Sequence, residues 1–540
     1  MAGRSATKRK QASAELAATH NKAKHSKLKP VEQQAVDEHS DSDESMGVSD
    51  SNDEGMSDEM DEAEDEPKLA GENGATAKSS ERKSGQPVTN AEIMALNEAS
   101  LLFKTNLFKL QVDELLNETV VASGSKATRE LDAALKQIRD TLVAMESTNE
   151  MSVEAAVNHV RKLSKSEFSV PFPDPSPPAD LPIKMAFGAP DVVNIVGSYA
   201  LGMTVRTGQG FSVDMMAQMP PHLFQERDHL NFRYFYKRAF FVAMVRVFLQ
   251  KSAVHDAFDV DFDLLRSDTR LPVVVLRPKP DMRRLAKLNC SIRIIPTIAP
   301  DTLPLKRLAP SRNHIRFSFI ARGASDGEVD NLPPTPQYNA ALVSDALLTT
   351  HITYLHETKD LCPEFARAAA LLRIWHSQHT SSGRSVGSQQ LMKSRVNGFI
   401  LTMVLAWLVR SSNSGGVSGA RLSATMSAHQ LFKGTIEFLA THDFAASPVQ
   451  FGNTMDIAEF AQSGAALVDP TASVNLLAGV VPWELAELRM QAQRTARDLN
   501  HHSAPCFGSV FLSTALSDVV SKYDHILRVE ADLEALLTTR

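Results

Sequence analysis

Cysteine is scarce. The 540-residue chain holds three, Cys290, Cys362 and Cys506, spaced too widely for a zinc site and odd in number for a disulfide framework, a pattern that fits a reducing intracellular compartment. Long apolar runs are missing too. The greasiest stretch, GFILTMVLAWLV from Gly398 to Val409, falls short of the ~20 residues a membrane-spanning helix needs and reads as a buried helix. No hydrophobic signal segment opens the sequence, so no membrane partner is expected. Other signatures are absent as well. The seventeen histidines form no His-x-x-x-His pair beside a glutamate, and neither a Gly-x-Ser-x-Gly elbow nor a Walker-type loop occurs. His501 and His502 sit in a loop-like NHHSAP stretch and read as incidental. No metal and no cofactor is expected.

One sign of charge is absent from a long segment. From Val31 to Glu66 there are sixteen acidic residues and no lysine or arginine, directly after a basic arm, Met1 to Pro30, with eight Lys/Arg against one Glu. The net charge of -7 therefore hides a segregation that leaves the rest of the chain close to neutral. Such blocks bury too little apolar surface to offset chain entropy and predict a disordered tail over residues 1–89. The KRK at Lys8 to Lys10 suits nuclear import or loose nucleic-acid contact, and equally a solvated tail without function. Ser40 and Ser51 each lie three residues before an acid, the context of acid-directed kinases, which makes them candidate phosphosites.

Ordered structure is expected from about residue 90. Leu102, Leu107, Leu110 and Leu115 fall near helical spacing, as do Leu131, Leu135, Ile138 and Leu142, predicting amphipathic helices over 90–169. A proline-rich break from Val170 to Pro182 follows. Residues 183–330 carry β-like runs, VVNIVGSY, FSVDMMAQM, PVVVLRP, CSIRIIPTI and HIRFSFIA, with a long helix expected from about Pro221 to Gln250. Beyond Asn339 the signals are helical, giving a helical domain over 331–503. The fold class is therefore α+β, with a mixed domain followed by a helical one.

The mixed domain begins like a nucleotidyltransferase. That chemistry needs a Gly-Ser turn to hold a triphosphate, two carboxylates at i and i+2 on the next strand to bind two Mg²⁺ ions, and a third carboxylate on a neighbouring strand. Gly197 and Ser198 supply the turn and Asp214 the second carboxylate, but Ser212 stands where the first should be. None of the three later β-like runs contains an acid. A serine hydroxyl is a weak, neutral Mg²⁺ ligand and one carboxylate cannot clamp two metals, so catalysis is predicted to be absent. The row Asp259, Asp261 and Asp263 in FDVDFDLL is a rival carboxylate set, which leaves an active RNA nucleotidyltransferase with an unusual metal site as the alternative. It has no Gly-Ser turn before it, and alternating acids are the usual dress of a solvent-facing edge strand.

GSYALGMTV and SVDMMAQMP, followed by DHLNFRYFYKRAFFVAMV from Asp228 to Val245, resemble the nucleolar RNA-associated protein family, Nrap. LFKTNLFKLQVDELL, PPTPQYN, LLRIWHSQ and VDPTASVNLLAGV agree in order, and SKYDHILRV resembles the start of the family's third domain. The resemblance implies a nucleotidyltransferase-like domain and a poly(A)-polymerase-like helical domain, both without catalytic competence. It also implies a nucleolar scaffold of the small-subunit processome in pre-18S ribosomal RNA maturation. The implied partners are pre-ribosomal and small nucleolar RNA, processome proteins and a casein kinase II-containing subcomplex. Family members are usually longer, so the resemblance implies that 504–540 is the start of a truncated third domain and that the sequence is a fragment, a truncated gene model or one part of a divided gene. Arg233, Lys237 and Arg238, at i, i+4 and i+5 in RYFYKRAFF, are candidate RNA contacts, against the reading of a core-packing helix with solvated cations.

Overall fold

The computed structural model of the chain describes residues 90–122, 124–178, 181–208, 210–316, 319, 332–379, 395–410, 422–452, 457–461, 464–501 and 506–512. The basic and acidic segments, with Ser40 and Ser51, and the SKYDHILRV stretch lie outside them.

Three helices lead: α1 (Asn90–Thr119), α2 (Lys126–Val143) and α3 (Val153–Leu163). Serines cap α2 and α3 at their starts, Ser125 Oγ accepting from Thr128 N at 3.1 Å and Ser152 Oγ from Ala155 N at 3.2 Å. In α2, Leu131, Leu135, Ile138 and Leu142 are buried on one face, as their spacing predicts. In α1 the packed face is a different one: Val112 and Leu116 are buried while Leu107 and Leu110 are exposed. Of the leucines expected on the packed face, Leu115 packs against the helical core and Leu107 and Leu110 do not.

A mixed five-stranded sheet follows, built from β1 (Val192–Val196), β2 (Phe211–Gln218), β3 (Phe258–Leu264), β4 (Pro272–Pro278) and β5 (Cys290–Thr297) in the order β1-β2-β5-β4-β3. Only β2 and β5 are parallel. A one-turn helix, α4 (Gly197–Ala200), comes straight off β1; α5 (Arg233–Lys251) and α6 (Val254–Ala257) precede β3, and α7 (Arg283–Leu288) precedes β5. Val213, Met215 and Ala217 of β2 face α5, which is buried nearly all round because α2 and α3 lie on its outer side.

The expected long helix from Pro221 begins later. Pro221–Leu223 and Glu226–His229 are short 3₁₀ turns, and Asn231 and Phe232, at φ 52° and 61°, reset the chain direction before α5. HIRFSFIA is not a strand at its described start. There the backbone donors of His314, Ile315 and Arg316 are taken by Thr335 Oγ1, Asn313 Oδ1 and Asn231 Oδ1, leaving none for a ladder.

The C-terminal half comprises α8 (Pro336–Leu361), α9 (Phe365–His379), α10 (Gly398–Arg410), α11 (Ala428–Thr441), α12 (Ile457–Ala461), α13 (Pro482–Asn500) and α14 (Phe507–Phe511), with a small parallel pair, β6 (Val449–Gln450) and β7 (Leu467–Val468). The apolar Gly398–Arg410 stretch is the central helix of this half, buried among α8, α9 and α11. Among the described residues no helix is long and apolar enough to cross a membrane. The α8 helix joins two cores: Tyr338, Leu342 and Leu347 pack with the sheet domain, Leu355 with the helical one.

Candidate functional site

The sheet face turned away from α5 is where the Gly-Ser turn and Asp214 meet. Alternation along β2 puts Ser212 and Asp214 on that face, and the parallel register sets Ser291 and Arg293 of β5 directly beside them. Arg293 grips Asp214 with a two-point contact, Nε donating to Oδ1 at 2.7 Å and Nη2 to Oδ2 at 3.0 Å. Burial works against the charge of Arg293, but the Asp214 carboxylate outweighs it and raises the guanidinium pKa. The place for a third carboxylate therefore holds a cation.

The turn keeps its form. Gly197 adopts φ 72°, and a Cβ there would lie 3.1 Å from Asp214 Oδ2, so both conformation and space call for glycine. The Ser198 hydroxyl accepts a hydrogen bond from Thr204 Oγ1 at 3.1 Å. These residues line a cavity of about 310 Å³ between the sheet and the helical half, whose far wall includes Arg373 of α9 and Phe399 of α10. Among the described residues no group of three or more His, Cys, Asp or Glu side chains is placed to hold a metal ion.

The rival carboxylate row is on the edge strand β3. Asp261 accepts from Arg246 Nη2 at 3.2 Å and Arg277 Nη1 at 3.4 Å, and Lys279 Nζ stands 4.0 Å from Asp259. Two of the three acids thus have cations beside them. Arg246 itself lies between the Phe168 and Phe262 rings, 4.2 and 4.5 Å from their centroids. Asp263 alone reaches the cleft.

The basic stripe expected on α5 is corrected. Lys237 and Arg238 point inward, 6% and 0% exposed. Lys237 Nζ donates to Asp228 Oδ2 at 2.6 Å and Leu223 O at 2.8 Å. Arg238 Nε donates to Asp345 Oδ2 at 2.7 Å, an oxygen that also accepts from the Tyr234 hydroxyl at 2.8 Å, and Arg238 Nη1 donates to the Pro272 carbonyl. Arg233 is half-buried. Their carboxylate partners come from the preceding 3₁₀ turn and from α8, far enough in sequence that helix periodicity cannot find them. Sequence reasoning also passed over Arg293, Arg266 and Arg373; a lone arginine in the apolar run CSIRIIPTI was the available signal for the first.

A strand, Gly-Ser turn and mixed sheet facing a helical half across a cleft define a nucleotidyltransferase-like protein. The chain belongs to the Nrap family: residues 150–361 match Nrap protein domain 1, and residues 364–514 match the Nrap protein PAP/OAS-like domain. U3 small nucleolar RNA-associated protein 22 of Saccharomyces cerevisiae is 28% identical over 459 residues, covering 81% of this chain and 35% of the relative. Nucleolar protein 6 of Xenopus tropicalis is 26% identical over 451 residues, 82% of this chain and 36% of the relative. The chain thus spans about a third of the length of these relatives. The RNA terminal uridylyl transferase Cid1 superposes with a TM-score of 0.42 at 12% identity over 76% of this chain and 98% of its own, too remote to bear on function.

Proposed function

We propose that the chain is a non-catalytic scaffold of the small-subunit processome, acting in the nucleolus in pre-18S ribosomal RNA processing and holding RNA and partner proteins. The observation that carries this reading is the Asp214–Arg293 pair. Two-metal phosphoryl transfer needs a concentration of negative oxygens at that point; the guanidinium there holds both oxygens of Asp214 and cancels its charge, so that carboxylate is not free to ligate a divalent cation. The names of the relatives, nucleolar protein 6 and U3 small nucleolar RNA-associated protein 22, support the compartment and the RNA context. Pre-ribosomal and small nucleolar RNA, other processome proteins and a casein kinase II-containing subcomplex are the proposed partners. RNA contact is assigned to surfaces other than α5, whose Lys237 and Arg238 are committed to the core.

The test is in-cell ultraviolet crosslinking of the tagged protein with sequencing of the attached RNA, beside a nucleotide-addition assay with Mg²⁺ on an RNA 3′ end. Crosslinks concentrated on pre-ribosomal and small nucleolar RNA with no addition support the scaffold. Addition that is lost in Asp214→Ala overturns it.

A further inference from the structure

Cations outnumber free carboxylates around the cleft. Three guanidiniums line the 310 Å³ cavity, those of Arg266, Arg293 and Arg373, and face two acids, Asp214 and Asp263. Asp345 also borders it, but Arg238 and Tyr234 occupy its carboxylate. Asp214 is consumed by Arg293. The side chains of Arg373 and Arg266 make no ion pair or hydrogen bond with any described residue, although both border the cleft.

Each is held there at a cost. Arg373 comes from a helix in the core of the C-terminal half and lies across Gly398, close enough that a Cβ on that residue would sit 3.0 Å from its Cγ and Nε. Burial lowers its pKa, partly countered by Asp214, as befits a cation that has given up water without gaining a carboxylate of its own. Arg266 and its neighbour Ser267 both adopt φ 56°, a left-handed conformation costing a non-glycine residue about 1 kcal/mol, and it sets the Arg266 guanidinium 5.8 Å from the Phe399 ring centroid. The two residues are the centre of a turn between β3 and β4, in which Asp268 N donates to the Leu265 carbonyl at 3.1 Å, and that turn leaves the Arg266 side chain at the cavity. The remaining wall is mixed, with Leu201, Ile352, Leu355 and Phe399 on it and the polar side chains of Ser198, Asn397 and Thr402 between them. A cavity at the lower end of the ~300–1,000 Å³ range of small-molecule sites, with convergent cations, hydroxyls and an apolar patch, suits a ligand with one anionic group and one flat group that can also hydrogen-bond.

We propose that this cleft binds the phosphate of a nucleotide, free or at the terminus of an RNA, without a metal ion, Arg373 and Arg266 making the direct anion contacts and Arg293, fixed by Asp214, completing the charge. The arginines stand in for the cations that neutralise phosphate oxygens in a metal-dependent transferase, and no bond is made or broken. The idea rests on the non-catalytic reading of the same cleft, yet the two fail separately: nucleotide addition would sink the reading, and absence of metal-free binding would sink the site.

The experiment is titration of the 540-residue chain in EDTA with ATP, UTP, tripolyphosphate, adenosine, and a short RNA with and without a 3′-phosphate. Saturable binding of the phosphorylated probes, none of adenosine, and about tenfold or greater weakening in Arg373→Ala and in the more exposed Arg266→Ala are expected, since a hydrogen-bonded charge contact contributes about 1.5–3 kcal/mol. Arg284→Ala, exposed, paired with Glu130 and outside the lining of the cleft, leaves binding unchanged. Competition by ATP, UTP or tripolyphosphate identifies a free nucleotide as the source, and competition by the 3′-phosphorylated RNA alone identifies an RNA end. The site is overturned by binding that appears only with Mg²⁺, by binding unchanged in both arginine variants while their denaturation midpoints match the parent, by capture of a phosphoserine peptide and of none of the nucleotide probes, or by no saturable binding at all.

Discussion

Arg293 and Asp214 lie directly opposite one another on parallel strands and join through two hydrogen bonds, 2.7 and 3.0 Å long, at the point where a nucleotidyltransferase would assemble its metal carboxylates. The pair is largely shielded from solvent, with side chains 29% and 20% exposed, so each ion depends on the other for much of its solvation.

Arg293→Ala leaves Asp214 stranded in that position. A loss of about 1–3 kcal/mol of stability is expected in urea denaturation, whereas Ser212→Asp combined with Arg293→Asp restores a carboxylate set. The double variant should bind Mn²⁺ in a calorimetric titration where the parent binds none.

Asp345 accepts from both Arg238 and Tyr234 in the core beside α5. Asp345→Ala strips the counter-ion from an arginine with no solvent exposure and should cost about 3–5 kcal/mol, while Asp345→Leu with Arg238→Met should cost less than the single change because no charge is left buried. Chemical denaturation midpoints of the three proteins decide it.

Asp469 anchors the loop before α13. Its carboxylate accepts from His351 Nε2 at 3.1 Å, from Thr471 Oγ1 at 2.6 Å and from the backbone of Thr471, Ser473 and Val474. Burial pushes its pKa up, but the His351 hydrogen bond and the other donors prevail and hold it below the ordinary aspartate value. A depressed folded pKa means stability that is complete above the unfolded value, about 3.9, and lost as pH falls through the folded one. The destabilisation caused by Asp469→Asn should therefore be largest near neutrality and shrink below about pH 4, measured as the difference in denaturation free energy across pH.

Gly210 and Gly208 predict opposite outcomes two residues apart. A Cβ on Gly210, at φ 85°, would fall 1.8 Å from the Asn289 carbonyl oxygen, whereas one on Gly208 meets nothing within 4 Å. Gly210→Ala must push β2 away from the turn before β5 and should cost about 3 kcal/mol or more; Gly208→Ala should stay within about 0.5 kcal/mol of the parent in thermal melting.

The sequence alone determined the α+β class, because alternation along β2 and β5 and the helical spacing of α2 are local properties that burial then respects. It also exposed the missing carboxylate at Ser212 and, through a series of motifs in order, the family. Local reading faltered where partners are distant. The α1 stripe was partly mistaken because α9 and α14, not leucine spacing, choose which face is covered. Lys237 and Arg238 looked like a solvated stripe because their acids, Asp228 and Asp345, arrive from other elements. Only the tertiary structure could decide that Asp214 is held in a salt bridge, since strand register, a property of pairing between segments 79 residues apart, sets Arg293 beside it. The same folding brought Arg266 and Arg373 to that cleft from a strained turn and a helix of the other half, charges that no local pattern could have associated with it.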